Sequence, residues 1–118
     1  MTSRFDLVTI DTPDTSRLAR FWSAALNLTE LEREDIDRWV VLGTVDGQRR
    51  LGLQRGVSRP GGVHLDLACD VAEFEPEVER LAGLGAVLVR PVRHEPYGSI
   101  ANMADPDGNL FDVCAYLE

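Results

Sequence analysis

Lysine is absent from the 118 residues: all twelve basic side chains are arginines, set against 20 aspartates and glutamates for a formal charge of −8. That shortage of positive charge disfavours a protein that tracks a phosphate backbone, so no nucleic-acid partner is expected. The arginine bias itself carries no functional information. Long apolar runs are missing too. None approaches the roughly 20 residues that cross a bilayer, and Met1 to Asp6 lacks the zones of a secretory signal. A cytoplasmic protein with no membrane partner is expected. Cysteine is scarce, and Cys69 and Cys114 sit singly in apolar, strand-like runs. Without a CxxC pair, neither a disulfide framework nor a thiolate zinc knuckle is indicated, and buried free thiols are the expectation. Also missing are a GxSxG elbow, a GxGxxG turn, a GxxxxGK loop and an HExxH helix, which turns the reading away from covalent and nucleotide chemistry.

What is present is a chain 44% hydrophobic and 27% charged, enough for one compact domain over residues 1–118. Phe5 to Ile10 alternates as a strand. Asp11-Thr-Pro-Asp14 breaks it, and Asp14 or Thr15 can cap a helix with Leu18, Phe21, Trp22, Ala25 and Leu26 on one stripe. Asn27 suits the left-handed end of that helix. Leu28 to Leu31 reads as a short strand, Glu32 to Asp37 as a polar stretch, and Arg38 to Thr44 with Leu51 to Gln54 as two strands joined at Asp46-Gly47. Arg55 to Gly62 is the linker-like segment. The order then repeats: strand Val63 to Cys69, an acidic helix from about Ala72 to Leu84, Gly85 as its end, and strand Ala86 to Val89. A long loop from Arg90 to Ser99, strand Ile100 to Ala104, the turn Asp105-Pro-Asp-Gly108 and strand Leu110 to Tyr116 complete it. Leu7 falls on His64 at an offset of 57, Asn27 on Gly85 at 58, and Asp46-Gly47 on Asp107-Gly108 at 61. The chain is therefore a tandem duplication, with module one at about 4–55, the linker at about 56–62 and module two at about 63–118.

The doubled module, Val63-His-Leu-Asp-Leu67, Leu84-Gly-Ala86 and Ala104-Asp-Pro-Asp-Gly-Asn109 together resemble the vicinal oxygen chelate superfamily. That superfamily holds glyoxalase I, bleomycin-resistance proteins and extradiol dioxygenases. Asp11-Thr-Pro-Asp14, Arg20-Phe-Trp22 and Ala25-Leu26 are similar to its glyoxalase-like subgroup. The resemblance spans the whole chain. It implies an α+β fold of two tandem βαβββ modules whose curled sheets surround a concave pocket.

Strand alternation sorts residues between core and pocket. With Val8, Ile10, Leu65 and Leu67 under the helices, Thr9, Asp11, His64, Asp66 and Ala68 face the pocket. With Phe111 and Val113 in the core, Asp112 and Cys114 join them. Gly52 and Gln54 turn inward from the matching strand of module one, and Gln54 reaches the position of Asp112 only if the first hairpin is three residues longer than the second. The resemblance implies metal ligands at the positions of Leu7, Gln54, His64 and Asp112. Leu7 cannot bind metal, which leaves His64, Asp112 and the weaker donor Gln54 for a divalent ion such as Zn, Ni, Mn or Fe. A buried carboxylate needs a partner, and His64 can serve Asp112 directly or through water without any metal.

Asp66, two residues from His64, is a candidate catalytic group along with Asp112, while Gln54, His64, Cys114, Trp39 and Tyr97 are candidate ligand contacts. Trp39 is open between a pocket aromatic and a packing residue, because one register step reverses its face. His94 and Tyr97 lie in the long loop, where binding residues collect. Trp22 reads as core, the run Glu73 to Glu79 as the wet face of a helix over Phe74, Val78 and Leu81, and Asp105 and Asp107 as turn formers. Two functions remain. One is a metal-dependent lyase or isomerase acting on a substrate with vicinal oxygens. The other is a metal-free protein that sequesters a drug or metabolite, as the bleomycin-resistance members do. Exposed edge strands and the resemblance imply a homodimer.

Overall fold

The computed structural model describes residues 5–61 and 64–117. Gly62 and Val63, where the linker was expected to end and a strand to begin, lie outside them. The chain divides into two compact units, Met1–Ser58 and Arg59–Glu118, each with its own sheet.

In the first unit, strand β1 (Val8–Thr12) leads to helix α1 (Thr15–Leu26), followed by strands β2 (Thr29–Glu34), β3 (Trp39–Gly43) and β4 (Arg49–Arg55). The sheet order is β1-β4-β3-β2, with β1 parallel to β4 and the other neighbours antiparallel. α1 begins where the Asp14 side chain accepts the Arg17 N–H at 3.0 Å, and ends at Asn27 with φ 54° and ψ 50°. Its stripe of Leu18, Ala19, Phe21, Trp22 and Ala25 is buried, as are Val40, Leu42, Leu51 and Leu53 on the strands α1 packs against. Phe21 and Trp22 meet edge to face, with ring centres 5.0 Å apart. The first strand starts later than the alternation suggested, and β2 runs on through the polar residues to Glu34. Arg33 bridges Glu30 on that strand, so charge pairing takes the place of apolar alternation there.

The second unit holds β5 (Leu65–Ala68), a 3₁₀ turn at Val71–Glu73, helix α2 (Phe74–Gly83), and strands β6 (Val87–Leu88), β7 (Arg93–Glu95), β8 (Gly98–Ala104) and β9 (Leu110–Tyr116). The sheet runs β5-β9-β8-β6, and β7 also pairs with β8. Phe74, Val78 and Leu81 bury the inner face of α2, leaving its glutamates outward as expected. The stretch from Arg90 to Ser99 is not a loop throughout: Arg93 pairs with Ile100 and Glu95 with Gly98, closing a hairpin. Its alternation of charged residues offers no apolar face to read. β6 and β7 lie along the same edge of β8, interrupted around Pro91, whose ring nitrogen has no hydrogen to give the ladder. The Asp105 carboxylate accepts the N–H groups of Asp107 and Asn109, which pins the β8–β9 turn.

Candidate metal centre

β5 and β9 run in parallel, and their register sets Asp66 beside Asp112 and Ala68 beside Cys114. Residues opposite one another in a ladder share a face. The face turned away from the buried Phe111 and Val113 therefore carries Asp66 and Ala68 from β5, Asp112, Cys114 and Tyr116 from β9, and Ile100 and Asn102 from β8. His64, just before β5, joins this group. Its Nε2 lies 3.4 Å from Asp66 Oδ1 and 3.8 Å from Asp112 Oδ2, and one ligand atom from each residue falls within 4.8 Å of the others.

The expected direct His64–Asp112 hydrogen bond is not closed, since 3.8 Å exceeds hydrogen-bond range. Both carboxylates converge on one imidazole nitrogen without bonding it. Asp112 is the least exposed of the three, its side chain 25% exposed against 53% for His64 and 68% for Asp66. Asn102 Nδ2 donates to Asp112 Oδ1 at 2.7 Å, which fixes the carboxylate and leaves Oδ2 toward the imidazole. Arg93 Nη2 lies 3.4 Å from Asn102 Oδ1. An imidazole nitrogen and two carboxylates suit a divalent ion such as Mn, Fe, Ni or Zn, and their two negative charges match its charge. The residues present fit a metal.

Asn102 and Arg93 are the members of this group that reading the sequence missed. Asn102 was readable, because counting outward from the Asp105–Asn109 turn places it opposite Asp112. Arg93 carries no such signal, since its place depends on the unforeseen strand β7.

The remaining candidates fall elsewhere. Cys114 is buried, and the ring of Tyr116, two residues further along β9, stacks on Tyr97 with centres 6.4 Å apart. The Cys114 thiol beside it pushes the Tyr116 phenol above its ordinary pKa. Cys114 and Tyr116 border an open cavity of about 480 Å³ at the C-terminal ends of β5 and β9, where Ala68 and Leu117 also lie. Cys69 is half-buried rather than buried, and desolvation, aided by Glu77 and Asp70, pushes its thiol pKa up. His94 bonds Ser99 Oγ at 2.8 Å on the hairpin.

In the first unit, Trp39 and Gln54 face one another across β3 and β4. The indole ring lies over Gly52, so near that a Cβ there would come within 2.4 Å of it, and Nε1 donates to Glu32 at 3.1 Å. Trp39 is thus occupied in packing and bonding within its own unit. Arg49 and that indole hold the Glu32 carboxyl below its ordinary pKa. A bulge at Arg50 makes Leu42 pair with Leu51 after Gly43 pairs with Arg49, whereas Met103 and Ala104 pair in step with Phe111 and Leu110. The hairpin therefore lacks the three extra residues that would carry Gln54 to the position of Asp112. Gly52 is the counterpart of Asp112, and Gln54 that of Cys114.

The model of the glyoxalase-like domain family matches residues 7–114. A glyoxalase/bleomycin resistance protein/dioxygenase family enzyme from Burkholderia phytofirmans PsJN superposes with a TM-score of 0.80 at 20% identity, covering 98% of this chain and 100% of that one. A glyoxalase-related enzyme from Fulvimarina pelagi gives 0.75 at 23%, covering 96% and 88%. A mutant of the fosfomycin resistance protein FosX from Listeria monocytogenes, complexed with Mn(II) and 1S,2S-dihydroxypropylphosphonic acid, gives 0.78 at 19%, covering 99% and 93%. At such identities the likeness establishes the fold. No curated protein matches the chain in sequence. The family match over nearly the whole length, on a chain built of two βαβββ units, makes this protein a member of the glyoxalase-like domain family.

Proposed function

We propose that the protein binds a divalent metal through His64 and Asp112, with Asp66 beside them as the proton-moving group, and uses it for lyase or isomerase chemistry on a small molecule with vicinal oxygens. The observation that carries this reading is the convergence of both carboxylates on His64 Nε2, with Asn102 steadying Asp112 from behind. The Mn(II) in the FosX structure supports it by likeness of fold. When bound, the ion would supply a Lewis acid that polarises a substrate oxygen. His64 and Asp112 would hold it. Asp66, the most exposed of the three, is placed to move a proton between substrate and solvent. Gln54 is left out of this set, because its register makes it the counterpart of Cys114.

Tyr116, which lines the open cavity and stacks on Tyr97, supports a second reading, sequestration of a hydrophobic ligand without metal. Metal content separates the two. After dialysis against Mn²⁺, Ni²⁺, Fe²⁺ or Zn²⁺, elemental mass spectrometry should find near-stoichiometric metal in the natural protein, lost in Asp112→Ala. Background metal under every loading would retire the metal-dependent reading and leave sequestration.

A further inference from the structure

Asp70 precedes the 3₁₀ turn at Val71–Glu73, a position from which an aspartate commonly accepts a free N–H. Here its side chain makes no cap bond, and among the described residues no hydrogen bond or ion pair takes up its carboxylate. Asp70 is instead the one charged residue bordering the open cavity of about 480 Å³, a size that suits a small-molecule ligand. Val71, Tyr116 and Leu117 at the same cavity are 52%, 58% and 57% exposed, so its apolar surface is uncovered. Tyr97 stacks on the Tyr116 ring and steadies it. Tyr116 stands four residues beyond Asp112 on β9, about 13 Å along a strand, which sets this cavity apart from the proposed metal centre.

The surroundings are negative as well. Desolvation holds the Cys69 thiol above its ordinary pKa, and the carboxylates that add to it are Glu77, Asp70 and Glu73. Arg80 offsets Glu77. The Tyr116 phenol, held up first by the Cys114 thiol, is held up also by Asp66. On β7, Glu95 lies in line with Tyr116 across Gly98, and Arg93 lies in line with Cys114, reaching toward Asn102, so these two charges cancel. Arg59 and Arg90 stand elsewhere, one next to Pro60 by the β8–β9 turn and the other past β6. Asp70, Glu73 and Asp66 are left without a matching cation. Deepening the metal-free reading above, we infer that this cavity takes an organic cation with an apolar body, its ammonium on the Asp70 carboxylate and the Tyr116 ring and its body against Val71 and Leu117. The face of an aromatic ring attracts such a cation, and the free carboxylate gives it a counter-charge.

The test is isothermal titration calorimetry at low salt with three probes of similar shape: tryptamine, a cation at neutral pH, the neutral tryptophol and the anionic indoleacetate. Tryptamine should bind about tenfold more tightly than tryptophol, as an exposed ion pair and a cation–π contact together imply, and indoleacetate more weakly than either. Asp70→Asn should cut the tryptamine advantage at least about threefold and leave tryptophol binding as it was, which also shows that the variant is folded. Equal binding of tryptamine and tryptophol to the natural protein would overturn the cation assignment while leaving hydrophobic sequestration standing. An advantage that survives Asp70→Asn, as it would were the cation held by Asp66 and Asp112, would overturn the role of Asp70. Binding of none of the three probes would remove the metal-free reading itself and this inference with it.

Discussion

Asn102 exerts its effect through another residue. A carboxylate free to rotate presents an ion with many geometries, and one held by a neighbour presents few, which is why partners behind metal ligands matter to affinity. Here the Asn102 amide grips Asp112 Oδ1 at 2.7 Å and leaves Oδ2 toward His64. Asn102→Ala should therefore keep its unfolding midpoint close to that of the natural protein while weakening Mn(II) binding by about 10- to 100-fold, the usual cost of losing such a partner. Titration followed by the Mn(II) electron spin resonance signal checks it. Unchanged affinity would mean that the sheet alone aims Asp112. Much of this centre was legible in the sequence, because a period of two places His64, Asp66 and Asp112 on one face without coordinates. What alternation could not supply was the facing of Trp39. One register step decides it, and the β3–β4 ladder sets its ring over Gly52.

At the level of elements, the β7–β8 hairpin is what brings Arg93 to the centre, and Gly98 is what lets that hairpin sit against β9. Gly98 has φ 149°, and a Cβ there would lie 2.3 Å from the carbonyl oxygen of Ala115 and 2.9 Å from the Cα of Tyr116. Both obstacles are backbone and cannot swing aside as a side-chain tip would. Gly98→Ala should destabilise the protein by about 1–3 kcal/mol, the range for forcing atoms into a packed place. Gly83, with nothing within 4 Å of its added Cβ, is the control: Gly83→Ala at the end of α2 should be neutral or slightly stabilising. Urea unfolding midpoints compare the two, and equal midpoints would show that β9 yields at Gly98. The helices were readable to within a few residues, because Asp14, Asn27 and the buried stripes act locally. β7 was not, since Arg93-His94-Glu95 carries no apolar face and is a strand only because β8 pairs with it.

Across the whole chain, the duplication that was plain in the sequence has diverged at the site. The repeat offset and the two parallel ladders align Leu7, Thr9 and Gly52 of the first unit with His64, Asp66 and Asp112 of the second. Leucine and glycine side chains offer no donor, and a lone threonine hydroxyl is too weak to hold a divalent ion alone. The indole of Trp39 also lies where a side chain at position 52 would project, so that part of the first unit is packed shut. The offsets counted from sequence showed the repeat but not that the bulge at Arg50 adds a single residue to the first hairpin, too few to bring Gln54 level with Asp112, because an extra residue in a strand leaves no mark on composition. Since, among the described residues, the donors of this set lie in the second unit alone, the fully loaded protein should hold one divalent ion per chain despite its doubled architecture. Mn(II) titration with elemental mass spectrometry of the saturated protein should give a ratio near one, falling to background in His64→Ala. A ratio near two would show that the first unit binds through residues other than these counterparts.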